Sequence, residues 1–201
     1  MLFKYRDFSN LQFALDIFVN RRLFAAPFES LNDPMEGAYL YSPGTLTPEE
    51  IRAIYGQKNE WHILSLSETF SNMLMWSYYA SGHSGMVVGV TVVERSDVET
   101  RKVIYDENLS VAGYASDIAK EILTRKRTAW LHEREHRVFK RRVSSKDKGS
   151  FVEVDVKRIV FGIRTDKALK GIVSDIARRF CPGIEIETIK EKHLEKGLKN
   201  L

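Results

Sequence analysis

With 201 residues, 43% hydrophobic and 29% charged, the chain is long and apolar enough to bury a core without staples, which excludes a disordered or low-complexity class. A single cysteine, Cys181, excludes an intrachain disulfide and favours a reducing, cytoplasmic setting. No run of about eighteen apolar residues marks a membrane span, and a net charge of +4 permits an anionic partner without requiring one.

Periodicity and punctuation divide the chain into elements. Met1 leads straight into LFKYR (2–6), which alternates as a strand and leaves no room for a secretory leader. Ser9 or Asn10 caps a helix over roughly 10–22, with Leu11, Leu15, Phe18 and Val19 on its apolar face. LFAAP (23–27) is a short strand and SLNDPMEG (30–37) a turn cluster built on Asn32-Asp33-Pro34, after which Glu36 caps or pairs nearby. Thr47-Pro48-Glu49-Glu50 starts a helix. WHILSLS (61–67) is a strand, Asn72 to Ala80 a short helix, and GMVVGVTVV (85–93) a buried strand. VIYD (103–106) is a further strand and a helix follows over roughly 108–127. SFVEVDV (150–156) and RIVFGI (159–164) are strands, a helix runs from Thr165 or Asp166 to near Phe180, and GIEIETI (183–189) is a last strand before a charged, solvated tail from Lys190. The irregular order predicts a single domain over 1–201 of α+β class, with a mixed, mostly antiparallel sheet and flanking helices.

HEREH (132–136) fits H-E-x-x-H, the zinc-hydrolase signature in which two His one helical turn apart hold the metal and the Glu activates its water. As a helix, however, the stretch buries Arg134, Glu135 and Arg137 beside a metal, and the only downstream histidine, His193, lies in the tail. As a strand it places Glu133, Glu135, Arg137 and Phe139 on one face and Arg134, His136 and Val138 on the other. The strand reading is preferred, and no metal is expected. Two carboxylates at i and i+2 stand about 7 Å apart. They either form salt bridges with Arg137 and basic residues on neighbouring strands, or face a cleft as an acidic pair for proton transfer or for steadying a cationic transition state.

Other residues suggest a ligand site. Ser65 and Ser67 point to one side of a strand, and Trp76 and Tyr79 share a helical face, as core residues or as a stacking platform for a base. Of Tyr5 and Arg6, alternation sends one inward, and an Arg there suits a phosphate or carboxylate. The clusters Arg125-Lys126-Arg127 and Lys140-Arg141-Arg142 are solvated faces or a nucleic-acid edge.

On F-E-S-L-N-D-P-M-E (28–36), L-S-L-S-E (64–68), N-M-L-M-W-S-Y-Y-A-S-G-H-S-G (72–85), E-R-E-H-R (133–137) and I-V-F-G (159–162), the chain resembles the bacterial and archaeal domain of unknown function 2971 family. That family's third block usually reads E-x-E-W-R, so His136 stands where Trp is usual. The order of an Arg on a first strand, Ser-x-Ser on a middle strand and Glu-x-Glu on a later one also resembles the ADP-ribosyltransferase pattern. This resemblance implies an NAD-binding fold of that kind, with a role in stress or phage defence and a macromolecular acceptor. Arg6 would bind the phosphates, and Ser65 and Ser67 would shape the nicotinamide pocket. Glu135 would steady the ribosyl cation and Glu133 would position the acceptor. Tyr79 or Trp76 would stack on nicotinamide. The competing expectation is a non-enzymatic nucleic-acid or protein-binding module, and the zinc hydrolase is third.

Overall fold

The computed structural model describes residues 1–33, 35–144, 147–190 and 193. It is α+β. The strands are β1 (Leu2–Arg6), β2 (Arg22–Pro27), β3 (Trp61–Ser67), β4 (Met86–Val92), β5 (Val98–Lys102), β6 (Ile104–Tyr105), β7 (Arg125–Lys126), β8 (Glu135–Arg141), β9 (Ser150–Phe161) and β10 (Glu185–Thr188). The helices are α1 (Leu11–Val19), α2 (Pro48–Lys58), α3 (Met73–Tyr79), α4 (Ile118–Leu123) and α5 (Lys167–Phe180), with 3-10 turns at Phe28–Ser30 and Thr128–Glu133.

An eight-stranded sheet runs β1-β4-β9-β2-β3-β8-β5, with β10 added in parallel beside β9. All other pairings in it are antiparallel. Phe3 also pairs with Ser67, so β1 touches β3 and the strands β1, β4, β9, β2 and β3 close into a ring. β6 and β7 form a separate parallel pair.

Alternation along the strands decides what each face buries. Met86, Val88 and Val90 of β4 join Ala14, Ile17 and Phe18 of α1 and Val173 and Ala177 of α5 in the main core. Val87, on the opposite face, joins Phe3 and Tyr5 of β1 and Met75 and Trp76 of α3. With Phe3 and Tyr5 committed to that second core, Lys4 and Arg6 face the other way, and this is what supplies a cleft with cations. A smaller cluster of Leu46, Ile54, Val111, Ile118 and Ile122 packs α2 on α4.

Local chemistry explains the ends. Thr47 and Glu50 form a reciprocal capping box at the start of α2. Asn72 caps α3 by accepting from the Met75 amide at 3.1 Å, and its own amide donates to the His132 carbonyl at 3.2 Å. That second bond ties α3 to the 3-10 turn at Thr128–Glu133.

Four expectations need correction. The helix expected over 108–127 is only α4, because Asp106 and Asn108 accept from the backbone amides of Asn108 and Ser110 and hold the preceding stretch in turns. The strands expected at 150–156 and 159–164 are one, β9, whose charged Lys157 and Arg158 sit mid-strand. The α1 helix stops at Val19, short of residue 22. HEREH is neither all helix nor all strand. His132 and Glu133 end a 3-10 turn, Arg134 adopts a left-handed conformation (φ 46°), and β8 begins at Glu135. His132 and His136 therefore lie on different elements, without the one-turn spacing of the zinc signature. β5 carries no apolar alternation because VETRK lies at an edge of the sheet, where charge is tolerated. The expected tail falls outside the described residues except for Lys190 and His193, and Pro34 of the expected turn lies outside them as well. No helix among the described residues is long and apolar enough to cross a membrane.

Gly85 anchors this arrangement. Its carbonyl accepts from the Gly162 amide at 3.0 Å and the Thr165 hydroxyl at 2.6 Å, and a Cβ placed on it would stand 2.2 Å from the Arg6 carbonyl oxygen. Gly85→Ala is expected to destabilise the fold by about 1–3 kcal/mol or more in urea unfolding, because backbone has to move. Gly56→Ala, where a Cβ meets nothing within 4 Å inside α2, is expected to stabilise it by about 0.5–1 kcal/mol.

Candidate functional site

A cleft of about 240 Å³ lies against β1, β2, β3 and the start of β8. Its polar lining includes Lys4, Arg6, Asn32, Glu36, Ser65, Ser67, Tyr79, Lys126, Glu133 and Glu135. Segments far apart in sequence meet here because β3 pairs with β8 in the register Ser65–Arg137 and Ser67–Glu135, while Phe3 of β1 pairs with Ser67.

The inner wall is a buried ion cluster. The Lys126 ammonium donates to Glu133 at 2.6 Å and to Glu135 at 3.1 Å and pairs with Glu36 at 3.0 Å, so three carboxylates surround it. Arg137, fully buried, lays its Nε on Glu135 at 3.0 Å and an Nη on the other oxygen of the same carboxylate at 3.2 Å. Arg137 also donates to Glu36 and, at 2.6 Å, to the Leu123 carbonyl. With all three carboxylates ionised, these five side chains carry one net negative charge.

Burial and charge pull the members apart in acidity. Burial alone would raise Glu135, but the Arg137 and Lys126 charges, with bonds from Arg137 and the Ser65 hydroxyl, hold it at about 2. Burial pushes Glu36 up, against the pull of Arg137 and Lys126. Burial disfavours the Lys126 charge, yet Glu135, Glu36 and Glu133 hold it above the ordinary lysine value.

Glu133 and Glu135 differ in what they have left to offer. Both Glu135 oxygens are taken by Arg137, and one also by Lys126. Glu133 accepts from the Tyr79 hydroxyl at 2.6 Å on one oxygen and from Lys126 at 2.6 Å on the other. An ionised carboxylate has about four acceptor positions, so Glu133 keeps free capacity toward the cleft and Glu135 keeps almost none.

The cations of β1 lie opposite. Lys4 Nζ donates to the Ser65 carbonyl at 2.9 Å and forms no ion pair among the described residues. Burial, and then the neighbouring Arg6 charge, lowers its pKa to about 7. The Arg6 Nε is buried without a hydrogen-bond partner among the described residues, and burial lowers the pKa of its guanidinium.

The structure brings Arg6, Ser65, Tyr79, Glu133 and Glu135 together, as expected from sequence, and adds Lys4, Glu36 and Lys126. Lys4 was legible two residues before Arg6 on an alternating strand. Nothing in the spacing pointed to Lys126 as the hub. Ser67 reaches the cleft, but its hydroxyl donates to the Glu133 carbonyl at 2.6 Å and accepts from the Thr69 amide. Tyr5 contributes to the wall, with its ring edge-on to Trp76 and its hydroxyl on the Thr69 carbonyl. Trp76 needs correction as a ligand platform. It is fully buried, stacked on His83, and spends its indole N–H on the Phe70 carbonyl. Glu133 also needs correction as a strand residue, since it ends the 3-10 turn. The basic clusters are largely spent in ion pairs: Arg125 with Glu121, Lys140 with Asp97 at 2.5 Å, and Arg141 with Glu60 at 3.3 Å. His136 pairs with Glu68 at 2.8 Å, and His132 is half-buried, its Nδ1 on the Ala129 carbonyl.

No protein-family model matches this chain, and no curated protein or solved structure matches it significantly. Lys126→Met is expected to cost about 3–5 kcal/mol at pH 7, because it leaves three buried carboxylates facing Arg137 alone. In the variant those carboxyls take up protons more readily folded than unfolded, so the deficit should narrow as pH falls from 7 to 5. Urea unfolding of both proteins at the two pH values checks this. In the wild type the sign is opposite for Glu135. Its contribution is fully present above about pH 4.5 and is lost as pH falls toward 2.

Proposed function

We propose that this protein binds NAD or a related nucleotide and breaks its nicotinamide–ribose bond, in the manner of an ADP-ribosyltransferase. The observation that carries the reading is the convergence of Arg6, Ser65 and the Glu133–Glu135 pair on one cleft by way of the β1–β3 and β3–β8 pairings. The same order in sequence carries the resemblance to that enzyme pattern. Membership of the domain of unknown function 2971 family remains part of this proposal.

The electrostatics suit the chemistry. As nicotinamide leaves with the bonding electron pair, positive charge builds on the ribose carbon, and an acceptor nucleophile then bonds to that carbon. A fixed cluster with one net negative charge lowers the energy of that cation. The resemblance gives this contact to Glu135, but Glu133 is the one with acceptor capacity to spare and is the carboxylate proposed to make it. Glu135 is the positioning residue, held ionised and immobile by Arg137. Arg6, with an unpartnered Nε, is free to take a phosphate oxygen. Tyr79, half-buried beside Glu133, offers its ring as one wall. At about 240 Å³ the cleft is smaller than the roughly 300–1,000 Å³ of typical small-molecule sites. It suits one end of a dinucleotide.

The basic clusters give less support to a nucleic-acid-binding module, since Lys126 is buried and Arg125, Lys140 and Arg141 are paired.

The test is release of nicotinamide from NAD, followed by chromatography. Wild type should release it, and Glu133→Gln should slow release by about 10²-fold or more with an unchanged circular dichroism spectrum. Absence of release from the wild type, with and without candidate acceptors, would sink the enzymatic reading.

A further inference from the structure

The cleft does not end at Arg6. A second cavity, of about 410 Å³, adjoins it, and Arg6 and Phe24 line both. The second one is walled by the rings of Phe13, Phe24 and Phe151, with Gln12 and Arg22 alongside. Phe13 is 66% exposed, Phe24 43% and Phe151 44%. Single exposed phenyl rings need no explanation, but three around one cavity do.

The wall is also fixed in place. Phe24 meets Phe151 edge-on, with ring centroids 5.7 Å apart. The Arg22 guanidinium lies 3.7 Å over the Phe151 ring and is itself held by Asp16 at 2.9 Å. Phe24 packs where a side chain on Gly149 would stand, because a Cβ there would come within 2.1 Å of its ring. Arg6 lines both cavities, and its buried Nε is a donor without an acceptor among the described residues.

We propose that this second cavity is a subsite for a planar aromatic base. The ligand is then a two-headed molecule. Its phosphate bridge lies at Arg6, one head in the acidic cleft and the other among the three phenyl rings. The inference rests on the reading of the acidic cleft as a nucleotide site. Four observations favour a base over an aliphatic chain. Aromatic walls stack on the faces of a base. Gln12 carries both a donor and an acceptor for the edge of a ring. The orphaned Arg6 donor calls for an anion. The two cavities together come into the usual size range of ligand sites, which the acidic cleft alone does not reach.

The experiment is calorimetric titration with AMP, ADP-ribose and nicotinamide mononucleotide, on wild type and on Phe13→Ala. Phe13 is exposed, so its removal leaves the core intact. AMP and ADP-ribose are expected to bind wild type and to bind Phe13→Ala about 5- to 100-fold more weakly. Affinity for nicotinamide mononucleotide should stay the same. Gln12→Ala should weaken AMP in the same direction.

AMP that fails to bind wild type, or binds Phe13→Ala equally well, overturns the subsite. So does a Phe13→Ala change that appears only as altered self-association in sedimentation, which would make the cavity a contact between copies of this chain. The two readings fail separately. AMP contains no nicotinamide, so Phe13-dependent AMP binding without any nicotinamide release supports the subsite and removes the enzymatic reading. Nicotinamide release with an unchanged KM for NAD in Phe13→Ala removes the subsite and leaves the enzymatic reading standing.

Discussion

The structure around the cleft depends on one ammonium group. Lys126 Nζ lies within 3.1 Å of Glu36, Glu133 and Glu135, and these come from a turn, a 3-10 turn and a strand. An ion taken out of water loses several kcal/mol of hydration, so a buried cation persists only where its partners are close and complete. Here they are complete, and Arg137 extends the set by gripping Glu135 with two nitrogens and reaching Glu36 with one of them. Replacing a buried ion pair by well-packed apolar residues of similar volume is often neutral or stabilising, so stability alone does not account for the cluster. What the ions add is a field, one net negative charge with a fixed direction behind a small cleft.

That arrangement also explains the cations across from it. Lys126 and Arg137 already hold the carboxylates, and Lys4 donates to a backbone carbonyl and forms no ion pair among the described residues. Arg6 stands two residues on, with its Nε unpaired. The cleft is thus polar in a graded way, acidic where the carboxylates are gripped and cationic where β1 passes. A ligand that is anionic at one point and becomes cationic at another matches the gradient.

Much of this was legible in the sequence where period and chemistry agreed. LFKYR alternates, WHILSLS and GMVVGVTVV are apolar runs with β-branched residues, and T-P-E-E is a helix start, and each became its element. The grouping of Arg6, Ser65, Glu133 and Glu135 was legible as an order of motifs. Ion pairing of Glu135 to Arg137 was legible too, but the pairing of both carboxylates to Lys126 was not. Lys126 read as one member of a basic surface cluster, because a lysine's burial is decided by carboxylates brought to it from elsewhere in the fold. Glu36 was hidden for the same reason. Trp76 failed in the other direction. A ring at helical spacing looks the same whether it faces ligand or core, and here the contacts with Tyr5 and His83 decide for core. The edge strand β5 was missed and the helix at α4 was drawn too long, because charged edges and Asn- and Ser-rich turns override the apolar period that signals an element.

The HEREH stretch draws its meaning from one backbone angle. In a continuous strand, Glu133 and Glu135 would be equivalent, both pointing one way from the same ladder. Instead Arg134 takes φ 46°, a conformation that costs a non-glycine residue about 1–3 kcal/mol. Its side chain recovers part of that cost by pairing with Glu68 at 3.2 Å. The turn puts Glu135 at the head of β8, where the ladder to Ser67 and the Arg137 fork immobilise it. Glu133 ends the 3-10 turn, held by Lys126 and Tyr79 and otherwise open to the cleft. One left-handed residue thus separates two neighbouring carboxylates into a fixed one and an available one, a difference that a single strand could not make.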